Sequence, residues 1–294
     1  MIQSFFKSSD ARWALGHGDC VDLMREIAKS RFKFDCAFAD PPYFLSNGGM
    51  SVQSGRKVCV DKGDWDKSHG TQADAAFTIR WLEALREILK PSGTIWISGT
   101  HHNIFQVGSA LIELGYRILN IIVWQKKNPP PNLSCRYFTF STEFVIWARR
   151  DKKVPHYFNY ELMRNLAEGQ QMRDVWELPA IDKWEKTFGK HPTQKPLSLL
   201  VRILLASTRE NEWIFDPFAG SCTTGIAARL LGRRFFGVDL SVDYLSIGVR
   251  RFGEVETAEF RTKVFHHIAD LRNMPHQSVG EGVETCYGET LFFE

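Results

Sequence analysis

Residues 213–239 read WIFDPFAGSCTTGIAARLLGRRFFGVD, a strand, a loop of small residues, a helix and a second strand. Small residues between a strand and a helix let the backbone approach a ligand closely, and the N-terminus of the helix favours negative groups. Asp239 ends the second strand 19 residues after Gly220, where an acid can reach the hydroxyl groups of a ribose. The loop has neither G-x-G-x-x-G nor a P-loop lysine. The stretch therefore predicts a unit that binds a mononucleoside with a charged tail.

Short apolar runs alternate with helical periodicity along the rest of the chain, which is typical of an α/β fold. The predicted strands are Phe34–Ala39, Thr94–Ser98, Ile118–Trp124, Phe144–Ala148, Trp213–Phe215 and Phe235–Val238. The predicted helices are Val21–Ala28, Phe77–Leu89, Val107–Leu114, Leu197–Ser207, Thr224–Leu231 and Tyr244–Phe252.

A second motif, Asp40-Pro41-Pro42-Tyr43, follows the apolar strand FDCAFA. Open α/β sheets bind their ligands at the carboxyl ends of strands, so Asp40 stands where a ligand is expected. The two prolines fix φ and remove two N–H donors, which leaves a rigid corner of hydrogen-bond acceptors. Such a corner suits a substrate amino group, and Tyr43 offers a flat ring on which a base can stack. The alternative is a plain Asp-Pro turn that closes a strand.

The composition is that of a globular protein. The chain has 294 residues, 44% hydrophobic and 24% charged, and its net charge of +3 excludes a diffusely basic protein. Six cysteines without a CxxC pair are interpreted as free thiols of a reducing compartment. Because the chain shows no apolar leader and no run of about 18 apolar residues, we expect a cytoplasmic protein that does not enter membranes. Its histidine pairs are adjacent, unlike spaced metal ligands, so no metal is expected.

The segment from about 125 to 195 differs from the rest. Residues 120–164 carry eight Lys or Arg against three Asp or Glu, a local charge of +5 that leaves −2 elsewhere, and aromatic residues are frequent there. Cations hold phosphates and rings stack on bases, which indicates a DNA-facing surface. The candidate DNA contacts are Lys126, Lys127, Asn128, Arg136, Arg149, Arg150, Lys152 and Lys153. For residues 149–153 the alternative is a solvated edge.

The two motifs together, DPPY and then DPFAGS, resemble the permuted, β-class amino-methyltransferases that act on DNA with S-adenosylmethionine. Other blocks similar to that family are residues 18–20 (GDC), 94–100 (TIWISGT), 124–128 (WQKKN), 174–176 (DVW) and 191–196 (HPTQKP). The resemblance covers about residues 12–252. Within the family, the chain is most similar to accessory adenine-N6 methyltransferases of GATC-specific restriction systems, in residues 44–49 (FLSNGG), 62–66 (KGDWD) and 132–138 (NLSCRYF).

The resemblance implies an open, mostly parallel Rossmann-like methyltransferase sheet with helices on both faces and an inserted target-recognition region. It implies S-adenosylmethionine as the cofactor and Asp40, Pro41, Pro42 and Tyr43 as the catalytic corner. In that corner Asp40 and Pro41 orient the adenine amino group, and Tyr43 stacks on the flipped base. Asp239 is expected on the ribose, Asp19 near the cofactor adenine, and Thr193 with Lys195 near the methionine end. The other cofactor-binding residues implied are Cys20, Asp216, Phe218, Ala219, Gly220 and Ser221.

The resemblance also implies an organisation and partners. The catalytic domain is expected at residues 1–253, with the target-recognition region at about 125–190 and a C-terminal extension of unassigned role at 254–294. DNA is the expected partner, with a homodimer and a cognate restriction endonuclease as further expectations.

Three alternatives remain open: a cytosine-N4 methyltransferase, a catalytically weak DNA-binding protein, and an enzyme that methylates RNA or protein glutamine. The weak-binding alternative arises because Cys222 stands where the family usually has a second glycine. A Cβ narrows this loop and disfavours positive φ, so the departure bears on cofactor affinity rather than on the fold.

Overall fold

The computed structural model describes residues 4–46, 50–53, 56–59, 66–127, 129, 131–132, 135–189, 191–272 and 285–286. In this part of the chain the strands are β1 (Ser4–Ser8), β2 (Trp13–His17), β3 (Phe34–Ala39), β4 (Met50–Gln53), β5 (Arg56–Cys59), β6 (Leu89–Gly99), β7 (Arg117–Gln125), β8 (Thr142–Arg149), β9 (Val175–Glu177), β10 (Trp213–Asp216), β11 (Arg234–Asp239) and β12 (Thr285–Cys286). The predicted strands are confirmed, although β6 begins earlier than expected.

The helices of the described residues are α1 (Cys20–Ala28), α2 (Thr71–Ile88), α3 (Ile104–Glu113), α4 (Tyr160–Leu166), α5 (Leu197–Ser207), α6 (Thr223–Leu230), α7 (Val242–Val255), α8 (Ala258–His267) and α9 (Ala269–Arg272), with a 3₁₀ helix at Lys183–Lys186. The predicted helices are confirmed, and α2 begins a turn and a half earlier than its apolar pattern. None of the helices described has both the length and the apolar character that crossing a membrane requires.

One large sheet organises the molecule, with strand order β12-β1-β2-β11-β10-β3-β6-β8-β7-β9. The five central strands, β2, β11, β10, β3 and β6, are parallel. The chain moves outward from β3 to one side and from β10 to the other, so the sheet has its topological switch point between these two strands. Ligands bind at such a point, outside the carboxyl ends of the strands. The open, mostly parallel α/β sheet is confirmed.

The end of the sheet at which the five parallel strands finish is here called the carboxyl edge. β8 pairs antiparallel with β6, with Gly99 opposite Phe144 and Thr94 opposite Arg149. The first residues of β8 therefore lie at the carboxyl edge, and its last residue, Arg149, lies about 25 Å away at the opposite end of the sheet.

Two apolar layers cover the two faces of the sheet, because successive strand residues point to opposite sides. In β3, Cys36 and Phe38 belong to the cluster that packs against α5, α6 and α7. Ala37 and Ala39 belong to the cluster that packs against α1, α2 and α3. Helices thus lie on both faces, as expected from the sequence.

The C-terminal helices continue the first of these layers. The boundary expected after Gly253 falls inside α7, and α8 and α9 follow it on the same core. Phe260 and Val264 of α8 are buried there, and Arg202 of α5 makes a two-pronged ion pair of 2.7 and 2.8 Å with Asp270 of α9. The helices α8 and α9 therefore belong to the same apolar layer as α5.

Candidate active site

Asp40 follows β3 at the carboxyl edge and is held by three donors. Its Oδ1 accepts hydrogen bonds from Ser98 Oγ at 2.5 Å and Tyr43 OH at 2.8 Å, and its Oδ2 accepts one from Lys195 Nζ at 2.6 Å. Burial favours protonation of this carboxyl, but the charge of Lys195 and the three hydrogen bonds outweigh it and lower the pKa of Asp40. A largely buried, ionised acceptor therefore stands at the switch point.

The backbone after the two prolines is held by a carboxylate that sequence reasoning missed. Asp66 is fully buried, and its oxygens accept hydrogen bonds from the backbone N–H groups of Tyr43, Phe44 and Leu45 at 2.8, 2.9 and 3.2 Å. Ser46 Oγ donates a fourth, at 2.9 Å. Since prolines cannot donate, Asp66 satisfies the N–H groups that begin where the prolines end and fixes the corner in place.

Tyr43 is buried in this arrangement. Its side chain is 6% exposed, its hydroxyl donates to Asp40, and Lys195 Nζ lies 5.2 Å from its ring centre. Burial raises the pKa of Tyr43 well above its ordinary value, so the hydroxyl keeps the proton that it donates.

The loop after β10 is shaped by Asp239 at the end of β11. Asp239 Oδ2 accepts from the Gly220 N–H at 2.7 Å, and Oδ1 accepts from the Ser241 N–H at 2.8 Å. Gly220 has φ +50°, and a Cβ at this position would lie 2.9 Å from the ring of His191. The glycine is therefore required both by the backbone conformation and by the approach of His191.

Cys222 adopts the left-handed conformation, with φ +60°, at the N-cap of α6. Its buried thiol packs against Gly248 of α7, where a Cβ would come within 2.3 Å of Sγ. The adjoining residues are tied to α7 as well, because the Arg251 guanidinium donates to the Ser221 carbonyl oxygen at 2.6 Å and to Thr223 Oγ1 at 2.8 Å. The Cys222 side chain therefore fills space in the core rather than space above the loop.

A cavity of about 250 Å³ opens between the two motifs, and a smaller one of about 30 Å³ adjoins it. Asp40, Thr193 and Phe218 line both of them. From the predicted sites, the larger cavity also receives Asp19, Cys20, Pro42 and Asp239. The smaller one receives Lys195, Asp216, Ala219, Gly220 and Ser221. The structure thus brings the predicted cofactor residues together with Asp40, whereas Pro41 and Tyr43 lie behind the cavity walls.

Several residues of the site had no assigned role in the sequence. Phe77, His191 and Tyr244 line the larger cavity, and the His191 and Tyr244 rings pack edge to face with centres 4.3 Å apart. His191 begins the HPTQKP block and Ser98 lies in TIWISGT, so their positions were flagged by the motifs. Phe77 and Tyr244 carry no motif that could have identified them.

Carboxylates dominate the electrostatics of the two cavities. Burial raises the pKa of Asp216 to about 7, and the neighbouring charges of Asp40 and Asp239 add to the effect. Burial also raises the pKa of Asp239. Asp19 completes the set, with Oδ1 capping α1 through the N–H groups of Val21 and Asp22. Such a cavity favours a ligand with hydroxyl donors and a positive charge. Within the described residues, no group of His, Cys, Asp and Glu could hold a metal ion.

The candidate DNA contacts separate into two groups. Lys126, ion-paired with Glu143, and exposed Lys127 follow β7 at the carboxyl edge, and exposed Arg136 lies in the segment that leads into β8. Asn128 is outside the described residues. The second group, Arg149, Arg150, Lys152 and Lys153, lies at the opposite end of the sheet. Arg150 NH1 donates to the Leu89 carbonyl oxygen at 2.8 Å. The structure therefore does not bring this second group together with Asp40.

A Rossmann-like sheet with a carboxylate-lined cavity at its switch point is typical of enzymes that bind a nucleoside-type ligand. The chain belongs to a family described as DNA methylase, whose model matches residues 34–250. It is therefore a DNA methyltransferase.

Relatives and solved structures agree with this assignment. The chain is 57% identical over 238 residues to Type II methyltransferase M2.DpnII of Streptococcus pneumoniae, covering 81% of this chain and 88% of the relative. It is 48% identical over 273 residues to Type II methyltransferase M2.MboI of Moraxella bovis, covering 92% and 99%. The crystal structure of the M1.HpyAVI–SAM complex superposes with a TM-score of 0.63 at 26% identity, covering 82% of this chain and 98% of that chain.

Proposed function

We propose that this DNA methyltransferase transfers a methyl group from S-adenosylmethionine to N6 of an adenine that has left the DNA duplex. The observation that carries the proposal is the hydrogen bonding at Asp40. A carboxylate has about four acceptor sites. Ser98 and Tyr43 occupy two on Oδ1, and Lys195 occupies one on Oδ2. The fourth, on Oδ2, is available to an amino hydrogen.

The chemistry follows from that acceptor. A hydrogen bond from the amino group to Asp40 Oδ2 draws the nitrogen toward tetrahedral geometry and localises its lone pair. The nitrogen lone pair would take the methyl group from the sulfonium, which would leave as a neutral thioether, and the methylated amino group would release one hydrogen as a proton to water. When bound, S-adenosylmethionine supplies a methyl group activated by a positively charged sulfur. The protein therefore contributes chiefly orientation and fixed hydrogen bonds.

The cofactor fits the larger cavity by the chemistry of its lining. Asp239 accepts from the Gly220 and Ser241 N–H groups and lines the larger cavity, where its carboxylate can also accept from a ribose hydroxyl. Asp19 lies at the same wall for the adenine end. The ionised carboxylate of Asp40 would offset the positive charge of the sulfur. We assign Lys195 to Asp40 rather than to the methionine end, because its ammonium pairs directly with Oδ2.

DNA is proposed to lie along the carboxyl edge. Strands in a sheet are about 4.8 Å apart. The loop after β6 and the segment before β8 follow strands that are one and two places away from β3, on the side of the site where neighbouring nucleotides are proposed to lie. These loops expose rings, with Tyr137, Phe138 and Phe140 at 59%, 95% and 55%, and His101 stacks on Phe140 with centres 4.3 Å apart. Exposed rings suit the bases beside an extruded nucleotide, and Lys127 and Arg136 suit their phosphates. Arg149, Arg150, Lys152 and Lys153 are left out of this surface.

Adenine rather than cytosine is proposed because Asp40 precedes the two prolines, where cytosine-N4 enzymes more often carry serine. Likeness to accessory enzymes of GATC systems extends the proposal to GATC sites, a cognate restriction endonuclease, cytoplasmic location and a homodimer. The alternative of a catalytically weak DNA-binding protein loses its support, because the Cys222 thiol is directed into the core.

Mass spectrometry of nucleosides from DNA treated with the purified protein tests the reaction. N6-methyladenine is the expected product, whereas N4-methylcytosine, or no modified base at saturating cofactor, would contradict the proposal. The GATC assignment has its own test in cells that express the protein. Their plasmid DNA should resist a GATC nuclease that adenine methylation blocks, and complete cutting despite confirmed methylation would eliminate GATC.

A further inference from the structure

Lys195 is the cation at the centre of the site. Its side chain is 7% exposed, and its ammonium contacts Asp40 Oδ2 at 2.6 Å and the Thr193 carbonyl oxygen at 3.3 Å. A buried ion pair of this kind is costly to desolvate, so its retention in a catalytic corner calls for a functional reason.

Glu143 of β8 is the second carboxylate within reach of this cation. Its Oε1 is ion-paired with Lys126, and its Oε2 lies 4.0 Å from Lys195 Nζ. Oε2 is buried and accepts no hydrogen bond within the described residues. Glu143 can reach Lys195 because the antiparallel register of β8 places its first residues at the carboxyl edge, where Gly99 pairs with Phe144. Successive contacts therefore connect four side chains whose charges alternate and sum to zero: Lys126, Glu143, Lys195 and Asp40.

We propose that Lys195 and Glu143 are positioning residues that set how strongly Asp40 accepts the substrate amino hydrogen. This inference rests on the proposed function. Lys195 keeps Asp40 ionised, because a protonated carboxyl is a weaker acceptor and carries a hydrogen on one of its oxygens. Glu143 attracts the Lys195 ammonium from the side opposite Asp40. Lys195 therefore occupies only one acceptor site of Asp40 Oδ2, and the other stays open to the substrate. The two residues thus act on Asp40 in opposite directions.

Because Lys195 and Glu143 are expected to shift the Asp40 pKa in opposite directions, their effects differ from those of a residue that only supports the structure. Loss of Lys195 leaves Asp40 buried without its cation, which raises the pKa of Asp40. Loss of the Glu143 charge removes a nearby negative group and gives Lys195 wholly to Asp40, which lowers that pKa. The other titratable groups near Asp40 are Tyr43, which donates to it, Asp216 at the end of the adjacent strand, and the groups that line the same cavities, Asp19, Cys20, His191, Asp239 and Tyr244. None of them is altered in the test.

The experiment follows the titration of the Asp40 carboxyl by ¹³C NMR in the protein without DNA or cofactor. Lys195→Met should raise the Asp40 pKa by about one unit or more, Lys195→Arg should largely restore it, and Glu143→Gln should lower it. In methyl transfer, kcat should fall about 100-fold for Lys195→Met and about tenfold for Glu143→Gln. The acid limb of the pH profile should move up in the first variant and not in the second. Cofactor Kd, measured by calorimetry, should stay within about twofold in both.

The matched control is Lys90→Met. Lys90 pairs with Asp35 at 2.5 Å, at the other end of β3, so this variant removes a Lys–Asp pair of the same strand far from the site. It should change neither the Asp40 pKa nor kcat. If Lys195→Met and Glu143→Gln leave the Asp40 pKa unchanged, or move it in the same direction, the proposal is wrong.

The test still decides if Lys195→Met does not fold or if the proposed function is wrong. Should Lys195→Met fail to fold, Glu143→Gln decides alone, because its amide oxygen can still accept from Lys126 and a raised or unchanged Asp40 pKa overturns the proposal. The carboxyl titration needs no methyl transfer. A wild-type protein that methylates no adenine would therefore overturn the proposed function, while the titration would still decide the electrostatic relation of Lys195 and Glu143 to Asp40.

Discussion

Asp40 and Asp216 stand at the ends of adjacent parallel strands, Asp216 is buried and Asp40 largely so, and their pKa values move in opposite directions. The pKa of Asp40 is lowered against the effect of burial, chiefly by Lys195. The pKa of Asp216 is raised to about 7, because burial and neighbouring carboxylates outweigh the Thr224 hydroxyl and the Phe218 N–H that donate to it. Burial is common to both, so the difference comes from the cation that only Asp40 contacts.

The sheet thus places two carboxylates at equivalent strand ends, and the side chains around each carboxylate give it a different role. Asp40 is kept as a charged acceptor for a substrate hydrogen. Asp216 accepts from Thr224 Oγ1 at 2.6 Å and from the Phe218 N–H at 3.0 Å, so it holds the two ends of the loop after β10 together. One carboxylate serves the chemistry, and the other serves the shape of the cofactor loop.

The largest effect is expected when the charged acceptor is removed. Asp40→Ala should lower kcat for methyl transfer by about 10³-fold, because the amino group loses the carboxylate that is proposed to accept its hydrogen. Transfer of labelled methyl groups to DNA measures the loss. Cofactor affinity serves as the control and should remain within about threefold. A variant that retains a tenth of wild-type kcat would show that Asp40 is not the acceptor.

Removing the charge of Asp216 should instead change stability. The proton of Asp216 is bound more tightly in the folded than in the unfolded chain, so the free energy of unfolding falls as pH rises from about 4 to about 7. The decrease in the free energy of unfolding is complete above the pKa of Asp216 in the folded chain, and it amounts to at most about 4 kcal/mol. Asp216→Asn resembles the protonated acid and should flatten this dependence. Urea unfolding of both proteins at about pH 5 and about pH 8 checks it.

The pH dependence of stability expected from Asp40 is opposite to that expected from Asp216. Because the folded pKa of Asp40 is lowered, its contribution to stability is present above the ordinary carboxyl pKa and is lost as pH falls through the lowered value. The two carboxylates should therefore shape opposite limbs of the stability profile. Equal slopes for Asp216→Asn and wild type between about pH 5 and pH 8 would contradict the assignment of Asp216.

Much of this comparison could be predicted from sequence, because both motifs are local. Asp40, Gly220 and Asp239 were identified by the strand that precedes each of them and by their spacing. Their partners could not be, since Ser98 and Lys195 reach Asp40, and Glu143 reaches Lys195, only in the folded chain. The charge run at Arg149 shows the limit most clearly. Its composition suggested DNA binding, but the antiparallel direction of β8 carries it to the end of the sheet away from the site.

On the cofactor side, Gly220→Ala should weaken binding of S-adenosylmethionine about tenfold. The new Cβ would sit 2.9 Å from the His191 ring at a backbone φ of +50°, so either the loop or His191 must move. Calorimetry measures the affinity. Gly253→Ala is the matched control, because a Cβ there meets open space in α7 and should leave affinity unchanged while adding about 1 kcal/mol of stability. Wild-type affinity in Gly220→Ala would remove the loop from the cofactor site.

The smallest effect on binding is expected from Cys222→Gly. Glycine relieves a left-handed backbone, a gain of about 1 kcal/mol or more, but it empties the space that the thiol fills against Gly248. We expect cofactor affinity within about twofold of wild type and a net loss of about 1 kcal/mol of stability. Gly248→Ala supplies the control, because its Cβ would lie 2.3 Å from Sγ. It should destabilise the wild type more than it destabilises Cys222→Gly. A large loss of affinity in Cys222→Gly would show that the thiol supports the cofactor loop from behind, as Asp216 supports its two ends.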